Sequence, residues 1–522
     1  MKMFLRRMLT LMLATLMILS CFVLASCSDD TPEKPDVDTP GTTDTPGTDT
    51  PGTDVPGTTP GTPEEPDSEE PDANDYLLSI PKQNYGKTFT TLTDEADHRR
   101  MELYVANEDE AAGDLMDTAV FYRNNRVAEY LGVTFENVTA NGSWTTRGDY
   151  INRIYTSYST GDQDFQMASV YEAYAAEGAV GGFYYDINSI DAIDTDSPWY
   201  IQSWFENTVI NDRCYMLTGD LGLIMWQNMN AFYFNKQIAD ELGIVDTLYE
   251  MAEDGEWTFE YLMECAQLSS ADDGNDLWDD ADTYGLYLNR FNCRAMLTYF
   301  DIPLTQLNDD GDYEICLYNE RTENIYGKIH SYIWDNDCVY MNTTPGADGD
   351  FKTGMGMFVE DRLLFLPGSL GNSQDLREME GAWGILPTPK LDDNQESYHS
   401  HSNDTFMVFI IPGHAEDPEF CGTVVDALSA ESKYSVIPTY YDVVLKGRTT
   451  KDERDIPMLD TIRDNLSFDF AFAHLTALNM WVDFGQSLFV EANSSFKPQY
   501  DKKADVYQSN LEIVLDSYWD VR

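Results

Sequence analysis

The sequence is short of basic residues, of cysteine and of histidine, and each shortage closes off a class of function. It has 32 Lys and Arg against 92 Asp and Glu among 522 residues, a formal charge of −60. Binding a phosphate backbone relies on clustered Lys and Arg, so nucleic acid is excluded as a partner. The acidity suits solubility and repels anionic solutes, and it says nothing about fold. Eight cysteines are few for so long a chain, and no pair has the Cys-x-x-Cys spacing of a zinc or redox site. The six histidines include no His-Glu-x-x-His, and His399 and His401 lack further ligands at helical spacing, so no metal is expected. No Gly-x-Ser-x-Gly and no phosphate-binding loop occur, and Gly354-Met355-Gly356 lacks the third glycine of a dinucleotide-binding turn. No cofactor and no catalytic residue are therefore expected. Asp272–Asp276 has Gly274 where calcium needs an oxygen, and no Glu closes the loop; it reads as solvated acidic loop. With 92 acids a glycosidase-like carboxylate pair arises easily by chance, and nothing in the sequence favours one.

At the N-terminus, Lys2, Arg6 and Arg7 precede an apolar run from Leu9 to Leu24. The run is shorter than the ~20 residues of a spanning helix and ends in small residues, the pattern of a secretory signal. Leu24-Ala25-Ser26-Cys27 resembles the lipobox of bacterial lipoproteins, in which the cysteine is lipidated, palmitate included, and becomes the new N-terminus. The resemblance implies lipidation at Cys27 and a mature chain on the extracellular face of the cell membrane. Cys21 is a weaker acceptor, because bulky Leu19 precedes its small neighbour. Residues 28–75 are Pro, Gly, Thr, Asp and Glu, which form no core and stay extended. At about 3 Å per residue this stalk reaches at most some 100 Å or more. The six remaining cysteines, Cys214, Cys265, Cys293, Cys316, Cys338 and Cys421, read as buried thiols, with disulfides possible in an exported protein.

The folded part is expected from near Asp97. Met101–Ala106 reads as a first strand, Asp117–Gly132 as a helix and Val133–Val138 as a second strand. Tyr150–Tyr158 reads as a second helix and Phe165–Val170 as a third strand. This β-α-β-α-β order implies a parallel sheet whose ligands bind beyond the carboxyl ends of the strands. Thr258 is a natural helix N-cap, and Asp310-Gly311 signals a tight turn.

Several motifs then follow in one order. They include Gly161 to Asp164, Gly182 to Asp186, Cys214 to Asp220, Ala231 to Lys236, Trp257-Thr258 to Leu262, Phe351 to Phe358, and Gly384 to Lys390 with Pro387 and Pro389. Together they resemble the family 1 extracellular solute-binding proteins of bacterial ABC importers, over about residues 98–522. Trp257 and Thr258 stand in reversed order relative to the family's pattern, which matters little to capping. The resemblance implies an α/β, two-lobed periplasmic-binding-protein-like fold (type II), with hinged lobes and C-terminal helices on the second lobe. The first lobe would be 98–222 with 405–455, and the second 223–404 with 456–522. It further implies a monomer that binds an oligosaccharide and serves ABC permease subunits. High aromatic content, 32 Tyr, 25 Phe and 10 Trp, suits sugar faces. A surface glycan-degrading enzyme and an adhesive lipoprotein are the rival readings.

Candidate ligand contacts come from strand ends and lobe crossings. Tyr171 and Glu172 follow the third strand; they read equally as an ordinary helix start. Trp199 and Tyr200 cluster after Pro198 and read also as packing. Trp226 begins the second lobe. Asn289 and Arg290 end the strand Tyr284–Leu288, and Asn403 and Asp404 precede the return strand. Trp481, in a late helical stretch, stands where similar sugar binders carry a stacking aromatic and reads equally as core.

Overall fold

Lys87–Asp94 forms the first strand, β1, in a threonine-rich stretch between the stalk and Asp97 to which the sequence reading assigns no element. Its β-branched residues suit a strand. Phe89 and Leu92 are buried in the core, while the Thr91 and Thr93 hydroxyls reach Asn137 Oδ1 on the neighbouring strand at 2.7 and 3.2 Å. The expected strand Met101–Ala106 is instead turn and loop after a short helix, α1 (Asp97–Arg100). Arg123 and Asn124 both donate to the Leu103 carbonyl, so side chains satisfy a backbone that has no ladder partner. Folded structure therefore starts ahead of Asp97, and residue 98 is not the edge of the first lobe. The computed structural model describes residues 75–522 except 310, 344–349, 378, 380, 381, 450, 451 and 520–522. The signal, Cys27, nearly all of the stalk and Asp310 of the expected turn lie outside the described residues.

The remaining alternation forms as the periodicity predicts. Helix α2 (Leu115–Leu131) is capped by Asp114, which accepts from the Met116 and Asp117 amides, and ends at Gly132 with φ 63°. That left-handed conformation favours glycine. β2 (Val133–Ala140), α3 (Arg147–Thr160), β3 (Met167–Tyr171) and α4 (Glu172–Gly181) follow. β1 pairs in parallel with both β2 and β3.

A second sheet is built from β4 (Asn230–Asn235), β5 (Tyr284–Asn289), β8 (Val339–Asn342), β9 (Leu363–Ser369) and β10 (Trp383–Leu386), in the order β10-β4-β9-β5-β8. β6 (Thr305–Leu307) and β7 (Tyr313–Ile315) form a separate hairpin. Helix α5 (Arg290–Tyr299) leaves the end of β5. The chain then returns to the first sheet through β11 (Met407–Ile410), antiparallel to β3, giving the order β11-β3-β1-β2.

Beyond β11, α6 (Pro418–Glu431) packs on α2, and the helix Asp455–Asp464 packs on β10. The later helices do not rest on the second lobe alone, as the resemblance implies. Phe470–Ala473 and Leu475–Leu478 pack on α4 of the first lobe, whereas Val482–Gln486 and Ser487–Val490 pack on α5 of the second. The apolar run Phe468–Leu478 has buried residues on several sides, so it serves both neighbours. All six cysteines in the described residues are free thiols, and five of them are buried.

Candidate ligand cleft

The parallel strands of the first sheet end at Asp94, Ala140 and Tyr171, and those of the second at Asn289, Asn342 and Ser369. β11 begins opposite Tyr171, and β4 begins opposite Ser369. Both segments that cross between the sheets thus enter and leave at carboxyl edges. The crossings run antiparallel, with bridges Leu217 to Phe409 and Met229 to Ser402. The Asn228 amide donates to Thr405 Oγ1 and the Ser402 hydroxyl to the Met225 carbonyl, each at 2.8 Å. This pairing turns the two carboxyl edges toward one another.

An open depression of about 630 Å³ lies at the first edge, lined by the first-lobe residues Asp94, Glu95, Ala96, His98, Arg99, Asn141 and Ser143. Arg99 donates to Asp94 Oδ2 at 2.7 Å, and its guanidinium lies 4.6 Å from the centre of the Tyr171 ring. The Asp94 carboxylate also accepts from the Ala96 amide, which fixes the turn into α1. Asn141 donates to Glu95 at 2.7 Å. Gly142 permits the close approach: a Cβ there would stand 3.1 Å from both Asp94 Oδ2 and the Tyr150 ring. Beside the lining, exposed Trp144 carries the Arg147 guanidinium at 4.3 Å from its ring. These planar acids, amides and guanidinium groups, held in fixed pairs next to aromatic faces, suit a polyhydroxylated solute.

The second edge offers a similar combination. Asn289 caps α5, accepting from the Phe291 and Asn292 amides in a capping box. Arg290 and Arg294 flank the half-exposed Phe291 ring at 4.7 and 5.3 Å. Arg294 donates to Asp404 Oδ2 at 2.8 Å, and both side chains are 9 % exposed. Burial, with Asp404 nearby, holds the Tyr171 hydroxyl above its usual range, while Arg99 and Arg294 oppose this from either lobe.

The sequence-derived residues separate into three groups. Tyr171, Glu172, Arg290 and Asp404 gather around the facing edges. Asn289 contributes as a helix cap, and Asn403 as a crossing whose amide donates to the Asn228 carbonyl. The others are buried against the protein's own groups. Trp199 Nε1 and the Tyr200 hydroxyl both donate to Asp426 at 2.8 Å, inside the first lobe. Trp226 is buried edge-on against Tyr441, with Asp220 close to its indole nitrogen. Trp481 is buried with its ring stacked on His401. Burial, then Arg294, pushes the His401 ring down to about 3, so it is neutral at pH 7.

Asp94, Arg99, Asn141 and Arg294 escape sequence reasoning. Asp94 and Arg99 lie at and after the end of β1, a strand the sequence reading does not place, whereas Asn141 follows β2, which it does place. Arg294 lies one helical turn beyond the Asn289–Arg290 signal that the sequence does supply. In the acidic loop, carboxylates of Asp272, Asp273 and Asp282 come within 4.8 Å of one another. Asp282 accepts from the Asp273 and Asp279 amides at 2.7 Å each, so the cluster ties down its own backbone.

No protein-family model matches the chain, and no curated protein is similar to it. Solved structures are. UspC of M. tuberculosis is 12 % identical, with a TM-score of 0.52 over 81 % of this chain and all of its own. An extracellular solute-binding protein from Staphylococcus aureus in complex with maltose is 10 % identical, with a TM-score of 0.52 over 82 % of this chain and 98 % of that one. The galacto-N-biose/lacto-N-biose I-binding protein of an ABC transporter from Bifidobacterium longum is 12 % identical, with a TM-score of 0.51 over 82 % and 96 %. At such identities the likeness shows the fold: this chain has the two-lobed α/β architecture of these proteins.

Proposed function

We propose that the protein is a receptor that captures a small solute, an oligosaccharide, between its lobes and delivers it to the permease of an ABC importer without chemical turnover. One observation carries the reading: the crossings turn two strand-carboxyl edges toward each other, and an open depression at the first-lobe edge is lined by paired Asp94–Arg99 and Glu95–Asn141 beside aromatic rings. The solved proteins of this fold support it, since one was crystallised with maltose and another with lacto-N-biose. Titration calorimetry against maltose, maltotetraose and lacto-N-biose tests the proposal. Arg99→Ala should weaken the binding about tenfold or more, the scale of a buried contact worth at least 1.4 kcal/mol. Release of reducing sugar from these oligosaccharides, or no saturable binding to any of them, contradicts the reading.

The receptor acts as a monomer on the extracellular face of the membrane, held by lipid at Cys27. The signal's Leu24-Ala25-Ser26-Cys27 supports the anchor. Cys27→Ala should release the protein into the medium or stall its processing, and Cys21→Ala should leave it in the membrane fraction. Equal retention of both variants contradicts the anchor.

A further inference from the structure

The chain stays helical beyond the end of α6, but in a wider winding. A π-helical turn, Ser432–Val436, is followed by a π-helical run of eleven residues, Thr439–Thr449. π-Helical geometry is rare and occurs mostly as single turns, often at functional sites, so a run this long depends on its surroundings. Those surroundings belong to both lobes. On the first-lobe side, the Arg126 guanidinium of α2 lies 5.0 Å from the centre of the Tyr434 ring, and α2 packs against the run itself. On the second-lobe side, Lys446 pairs at 2.9 Å with Asp460, whose helix packs on β10. Just past the run, Asp452 pairs with Lys236 at 2.7 Å and Arg454 with Asp246 at 2.6 Å, in the helices that follow β4. The stretch is therefore a third crossing between the sheets.

It lies directly against the first crossing. Lys433 reaches Asp220 at 3.3 Å, the Tyr441 ring meets Trp226 edge-on at 5.9 Å, and the Tyr441 hydroxyl donates to Met229 Sδ at 3.7 Å. Within the run, Gly447 is fitted to the wide winding. A Cβ there would stand 3.0 Å from the carbonyl oxygen of Asp442, five residues back. Five residues is the spacing of a π-helical hydrogen bond, so the absent side chain leaves room at the carbonyl which that winding uses.

We propose that this third crossing takes up lobe motion by changing its winding, π-helical over 439–449 in the arrangement seen here and α-helical in the alternative one. The proposal rests on the reading of two lobes that open and close around a solute. In the change, each amide exchanges one carbonyl partner for its neighbour, so the backbone stays hydrogen-bonded throughout. The same residues wound into narrower α turns make a longer helix whose far end has rotated. That end carries Lys446 and leads to Asp452 and Arg454, so the second lobe moves with it while the α2 contacts hold the near end.

The test uses nitroxide-bearing amino acids at two exposed positions, Glu136 on β2 of the first lobe and Leu268 on the second-lobe helix Phe259–Ser269. Pulsed electron resonance on the ligand-free, full-length protein should show two distances between them. Gly447→Ala crowds the Asp442 carbonyl and improves α-helical preference, so it should shift their ratio about fivefold away from the arrangement seen here. Gly327→Ala makes the same exchange on the helix Glu320–Trp334, where a Cβ meets nothing within 4 Å, and should leave the ratio unchanged. A single distance in the wild type, an unchanged ratio in Gly447→Ala, or an equal shift in Gly327→Ala overturns the proposal. Calorimetry with maltose and lacto-N-biose on the wild type reads the receptor function separately: saturable binding beside any of those results leaves that reading standing. If Gly447→Ala does not fold, wild-type hydrogen exchange decides. The amides of Tyr440–Lys446 should exchange about tenfold faster than those of Phe420–Ser429 in α6, and equal protection overturns the proposal.

Discussion

Replacing Trp481 by alanine should cost the unliganded fold about 3–5 kcal/mol, the usual loss for a large aromatic removed from a core. The indole is 1 % exposed. It stacks on His401 with ring centres 5.2 Å apart and planes 26° apart, and meets Phe472 edge-on at 5.1 Å. Removing it would also let water reach His401, whose neutral state depends first on burial. The sequence reading allowed Trp481 to be a stacking surface for solute. In the structure its neighbours are the protein's own rings. The denaturation midpoint of Trp481→Ala measures the difference, and unchanged stability would put the indole back at the cleft surface.

Arg294→Ala is expected to destabilise the protein by a similar amount, about 3–5 kcal/mol, because it strands Asp404 as a buried charge. The mechanism is desolvation more than lost attraction. Asp404 would face Glu172 without the guanidinium that now separates their claims. Two buried acids then share a site, and one must take up a proton or drag water inward. The double variant Arg294→Met with Asp404→Leu removes both charges while retaining bulk, and should recover most of the loss. Urea unfolding of the three proteins provides the comparison. A single variant within about 0.5 kcal/mol of wild type, the range of ordinary surface substitutions, would mean that solvent already reaches the pair.

Much of the first lobe was legible because its signals are local. Gly132 closes an apolar periodicity, so the expected helix Asp117–Gly132 falls within two residues of α2. Thr258 accepts from the Tyr261 amide, the N-cap role its sequence context predicts. β1 was not legible, since its threonines match the composition of the stalk before it. Their strand character depends on Asn137 and on a sheet partner more than 40 residues away.

For the candidate site, the sequence pointed to strand-carboxyl ends, and of the residues it named Tyr171, Glu172, Arg290 and Asp404 lie near those ends in the structure. Composition over contiguous stretches also leads to the expectation of a secretory leader and a stalk, which lie outside the described residues. Only the tertiary structure decided which side chains meet. Asp94, Arg99, Tyr171, Arg294 and Asp404 come from distant stretches and converge through the antiparallel pairing of two crossings. Only the structure could turn Trp199, Trp226 and Trp481 inward. Whether an indole faces a cleft or a core depends on which partner its helix or loop packs against, and no local pattern in the chain encodes that partner.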